Sequence, residues 1–115
     1  MSKLQVGYKL LDKHLGSCTR VSNGPGYVKY SKNKFVGPRK GCGDLCVFTN
    51  KETAFKFRDW VESEGPVWMC VYVLSDSKYI WVGESDSKTE IEDFQTLFPE
   101  AVLAKKVRLI EEVKY

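Results

Sequence analysis

The sequence predicts one α+β domain, a small mixed or mostly antiparallel sheet with two helices. Three observations lead there. Apolar runs at strand spacing flank one strongly amphipathic helical segment. Only one helix lies between neighbouring strands as a plausible crossover, which argues against a doubly wound parallel sheet. A chain of 115 residues, 43% of them hydrophobic, fills a single core, so residues 1–115 are expected to form one domain.

The first strand runs from Leu4 to Leu11, with Leu4, Val6, Tyr8 and Leu10 sharing one side. Residues 16–44 differ in kind. They hold six of the nine glycines together with Pro25 and Pro38, a density that marks turns. Short strands at Tyr27–Tyr30 and Phe35–Val36 fit between the turns. Leu45–Phe48 is a compact apolar strand.

Thr49-Asn50-Lys51-Glu52 has the form of a capping box, with the Thr49 hydroxyl expected to take an orphan backbone N–H. Ala54, Phe57 and Val61 follow at helical spacing beside Trp60, which predicts a helix over 50–64. Gly65-Pro66 is expected to close it. Val67–Leu74, apolar on both faces, reads as a central strand. A turn at Ser75–Ser77 and a short strand at Tyr79–Val82 come next. Ile91, Phe94 and Phe98, followed by Pro99, predict a second helix over 89–98. Ala101–Val113 closes the series as one or two strands. Ala54, Phe57, Val61, Val71 and Val73 are the expected core.

Several function classes find no support. No stretch approaches the roughly 20 apolar residues of a spanning helix, and Met1–Gln5 has no apolar run of a signal peptide. A cytoplasmic protein with four reduced cysteines, away from membranes, is therefore expected. There is no G-x-x-x-x-G-K-S/T phosphate loop. Cys42 and Cys46 form one loose pair, whereas structural zinc usually takes two close pairs, so no metal site is expected. His14 is the only imidazole, and nothing in the sequence orients it toward Cys18 as a catalytic pair. No catalytic residue is assigned.

Charge distribution is the outlying property. From Lys13 to Gly43 there are seven basic residues and no acid, while the rest of the chain carries a net charge of −4. Aromatic residues are interleaved with the cations. Glycine-rich backbone, cations and rings together suit a phosphate-bearing ligand. The candidate binding residues are Arg20, Tyr27, Lys29, Tyr30, Lys32, Lys34, Arg39 and Lys40. Strand alternation limits this set: Lys29 points away from Val28 and Tyr30, so rings and lysines cannot all share a face.

Gly7-Tyr8-Lys9-Leu10-Leu11, Ser17-Cys18, Val28-Lys29-Tyr30, Phe35-Val36-Gly37-Pro38 and Leu45-Cys46-Val47-Phe48, with Ala54 and Phe57 after them, resemble short uncharacterised proteins of bacteriophages and large viruses. The element order over residues 7–74 also resembles the ADP-ribosyltransferase-like fold. That resemblance places Tyr8-Lys9 at the dinucleotide-holding position, with Lys9 where the family has Arg or His. Tyr30-Ser31 stands in for the Ser-Thr-Ser motif and Glu84 is the one candidate for the catalytic glutamate. The expected function is a non-enzymatic accessory protein binding a host protein or an anionic, nucleotide-like ligand through segment 13–43, without a cofactor. The alternatives are an ADP-ribosyltransferase-like enzyme using NAD and a nucleic-acid-binding module.

Overall fold

The computed structural model describes residues 4–16, 28–38, 45–76, 79–81, 88–90 and 95–114. In chain order the elements are β1 (Leu4–Leu10), β2 (Leu45–Phe48), α1 (Lys51–Trp60), β3 (Val67–Leu74), β4 (Tyr79–Trp81), β5 (Lys88–Glu90) and β6 (Ala101–Val113). The α+β class expected from the sequence is present, with every pairing between these strands antiparallel.

Four strands close into a small barrel in the order β1-β2-β6-β3, with β3 returning to β1. The seams are unequal. β1 and β3 pair along seven residues, from Leu4 opposite Val73 to Leu10 opposite Val67. β1 meets β2 at one pair, Tyr8 opposite Phe48. β6 spans both halves: its start pairs with β2 and its longer remainder with β3. Register shifts at Met69/Cys70 and Val73/Leu74 bend the β3–β6 ribbon, as bulges do in closed sheets.

Alternation along the strands builds two cores. Leu11, Val47, Cys70, Tyr72, Val107 and Leu109 fill the barrel interior. Leu10, Phe48, Val67, Ala101 and Phe98 face outward and pack against Ala54, Phe55 and Phe57 of α1. The Phe57 ring sits 5.1 Å from Phe48 and 5.3 Å from Phe98, the second pair edge-on. Of the residues expected in the core, Ala54, Phe57 and Val73 are buried, whereas Val61 and Val71 are half-buried. Leu4 and Val6 lie on the outer side of β1 and are more than half exposed.

The helix is shorter than the 50–64 expected, and both of its ends differ from the reading. Asn50, in extended conformation, is the N-cap, and its Oδ1 accepts from Thr53 N at 2.8 Å. Thr49, expected to cap, instead donates its backbone N–H to Glu100 O. The C-terminus closes at Glu62, which adopts φ 56°. Ser63 N donates to Arg58 O, and Glu62 N to Asp59 O, the two bonds of a Schellman turn. Gly65, expected as the terminator, serves another purpose. A Cβ there would run into the Leu11 carbonyl, and only its absence lets Leu11 N reach Pro66 O at 3.0 Å.

The second helix, expected over 89–98, is corrected at its start. Thr89 and Glu90 belong to β5, which pairs with β4 as a separate two-stranded ribbon. The apolar triplet that suggested the helix falls partly outside the described residues, since Ile91 and Phe94 lie there.

Candidate basic face and the barrel interior

Segment 28–38 is tied to the barrel at three places. Tyr30 N donates to Leu15 O, Leu109 N donates to Ser31 O, and Val36 exchanges both backbone bonds with Val107 at 2.9 Å. β6 makes this possible. Beyond Ala104 its edge no longer meets β2, and the segment occupies that edge.

The docking brings the Phe35 ring of the basic segment to two cations of β6. Lys106 and Arg108 flank Val107, so strand alternation sends both to the opposite face from that buried residue. Their charged groups lie 4.9 Å and 5.2 Å from the Phe35 ring centre. Lys29, Lys32 and Lys34 are exposed along the docked segment, and Lys32 reaches 5.9 Å from the Trp68 ring. Lys105 faces Asp76 at 4.0 Å, with that carboxylate 99% exposed, so the pair neutralises little. Among the described residues, Lys29, Lys32, Lys34, Lys106 and Arg108 form no ion pair.

The expected site residues therefore divide. Lys29, Lys32 and Lys34 are exposed on the docked segment that carries Phe35. Tyr30 is not: it is buried in the barrel. Tyr8 packs half-buried against the helix layer. Arg20, Tyr27, Arg39 and Lys40 lie outside the described residues, as do Cys18, Cys42 and Glu84. The sequence reading missed Lys105, Lys106, Arg108 and the Phe35 ring between two of them. The available signal was the Lys106-Val107-Arg108 alternation, which puts two cations on the outward side of a strand.

Lys9 behaves unlike a surface lysine. It is 8% exposed, on the inward side of β1. Its Nζ donates to Cys46 O at 2.6 Å and lies 5.1 Å from the Tyr30 ring centre. This bond crosses the weakly paired β1–β2 seam. Behind it, burial pushes the Cys70 thiol up to about 12, against the opposing pull of the Lys9 charge and the Gly7 N–H. Burial raises Tyr72 as well, with Cys70 adding to the shift. The Tyr72 hydroxyl donates to Gln5 Oε1 at 3.3 Å.

Other candidates carry less chemistry. His14 is exposed in a tight turn where Asp12 Oδ1 accepts from His14 N and Gly16 N. A groove of about 500 Å³ at one end of the barrel mixes Lys13, Arg58 and Lys114 with Glu64 and Glu112. Two of its cations are engaged, Arg58 with Ser63 O and Lys114 with Glu112. No group of three or more His, Cys, Asp or Glu converges among the described residues, and no helix among them is long and apolar enough to cross a membrane. Comparison with protein-family models, with curated proteins and with solved structures finds no match for this chain.

Proposed function

We propose that the protein is a non-enzymatic binding module of phage or viral accessory type, and that its ligand is a phosphate-bearing anion received on the face made by segment 29–38 and β6. The observation that carries this reading is the placement of Phe35 between Lys106 and Arg108. The charged heads of both side chains lie within cation–π distance of the ring, which holds them near one another. Lys29, Lys32 and Lys34 extend the same sign of charge along the docked segment. Cations fixed in one place, without acids between them, raise the local concentration of an anion and speed its capture. A single-stranded nucleic acid would use the aromatic surface as well as the charge.

The NAD-using alternative gains nothing from Lys9. Its ammonium points into the barrel interior, where a dinucleotide has no room.

The test is fluorescence anisotropy with a labelled single-stranded oligonucleotide and with a labelled nucleotide, over a salt series. Lys106→Glu with Arg108→Glu, checked first for an unchanged melting temperature, should weaken binding at least tenfold. For the single strand, the slope of log affinity against log salt should become shallower by about 1.4, roughly 0.7 for each phosphate no longer neutralised. Full affinity in the folded double variant would refute the reading.

A further inference from the structure

The inward side of the barrel carries polar groups that the basic face does not use. Successive cross-strand pairs of β1 and β3 place them in layers: Gln5 opposite Tyr72, Gly7 opposite Cys70, and Lys9 opposite Trp68. The last layer lies at the end where β1 runs into the 12–16 turn, and Tyr30 and Leu15 pack there too. Two buried donors in this region, the Tyr30 hydroxyl and the Trp68 indole N–H, have no hydrogen-bond partner among the described residues. Lys9 supplies three donor hydrogens, and among the described residues its one acceptor is Cys46 O. Lys32 stands above the Trp68 ring. Glu112, opposite Trp68 on β6, is the carboxylate of this layer, and Lys114 holds it at 2.7 Å.

We infer that this end of the barrel is a binding site for one small oxyanion, a carboxylate or an inorganic phosphate, held by Lys9, Tyr30 and Trp68. The chemistry of the set favours an acceptor-only guest. Ammonium and indole are donors without acceptor capacity. A water molecule would bring two hydrogens of its own and find few acceptors for them, whereas an oxyanion brings several lone pairs and no hydrogen. The charge balance agrees. Lys9 is a cation in the barrel, and the neighbouring Cys70 thiol stays protonated and neutral at physiological pH, so an anion would supply the missing countercharge. The inference is independent of the basic face, because it rests on inward side chains and on none of Phe35, Lys106 or Arg108.

The experiment follows the indole N–H signals by two-dimensional NMR while sodium phosphate, and separately sodium acetate, is titrated at constant ionic strength against a chloride control. Trp68→Phe identifies the Trp68 signal. A saturable shift of that signal with phosphate or acetate, and none with chloride, is expected, and the anion that saturates it names the class. Lys9→Met, which keeps the length and removes the charge, should weaken the binding at least tenfold. Tyr30→Phe, which removes one oxygen and so guards against misfolding of the first variant, should weaken it severalfold. Lys106→Glu with Arg108→Glu should leave the shift in place, which separates this site from the outer face. A shift that grows linearly with every anion would overturn the inference, as would unchanged affinity in a folded Lys9→Met or Tyr30→Phe protein.

Discussion

Gly7 lies directly against the Tyr72 ring: a Cβ on Gly7 would stand 2.8 Å from Tyr72 Cε1, 2.5 Å from Val47 Cγ1 and 3.0 Å from Phe48 O. The barrel is narrow enough that this inward position on β1 has room for a hydrogen and nothing larger. Gly7→Ala should therefore overpack the interior and cost about 1–3 kcal/mol. Chemical denaturation checks it. A midpoint equal to that of the parent would mean the β1–β2 seam opens without penalty.

Asn50, and not Thr49, should carry the N-terminal cap of α1. Asn50→Ala removes the oxygen that receives Thr53 N–H and should cost about 1 kcal/mol. Thr49→Ala should cost a few tenths at most, since the Thr49 contact with Glu100 is made by its backbone. Equal losses in the two variants, compared by denaturant titration, would restore the capping box read from the sequence.

Glu62 holds a left-handed conformation that a side chain disfavours. Glu62→Gly should raise stability by about 0.5–1 kcal/mol, because the Schellman turn needs the backbone shape and not the carboxylate. A fall in melting temperature would reveal a function for the Glu62 side chain.

Cys70 should make the protein sensitive to alkali. Its thiol has an ordinary value of 9.0 and is pushed up to about 12 in the fold by burial. Between these values the unfolded chain releases the proton while the folded chain keeps it. Stability is thus full below pH 9 and falls as pH rises toward 12, by up to about 4 kcal/mol at roughly 1.4 kcal/mol per pH unit. Tyr72, also raised, acts in the same direction. Denaturant midpoints between pH 8 and 11 should fall less steeply for Cys70→Ala than for the parent, and parallel profiles would refute the assignment.

The strands were largely legible because their signals are local. Leu45–Phe48 and Val67–Leu74 fall where apolar runs bounded by turn residues place them. The facing of β1 was not legible. Reading Leu4, Val6, Tyr8 and Leu10 as one side was sound. That side, however, is the outer one, and the inward side carries Gly7 and Lys9, which hydrophobic periodicity assigns to solvent. Closure into a barrel is the non-local fact that reverses the expectation. The segment expected as a second helix over 89–98 was misread at its start for a related reason. The backbone pairing of β5 with β4 takes Thr89 and Glu90, so helical structure is met only at Gln95 among the described residues of that stretch. Half of the basic face was visible as the acid-free segment. The other half sits some seventy residues later in β6 and joins it through the Val36–Val107 pair and the Leu109–Ser31 hydrogen bond.

The length of β6 has a consequence for how the chain folds. One strand, last in sequence order, provides the partner edge for β2, for β3 and for segment 31–36. A growing chain that has reached only Glu100 holds these three edges with nothing to pair them, and unpaired edges invite association with other chains. Contacts of such long sequence separation also slow the folding step. The barrel therefore closes late, and the interval before β6 arrives is when the molecule is most exposed to aggregation.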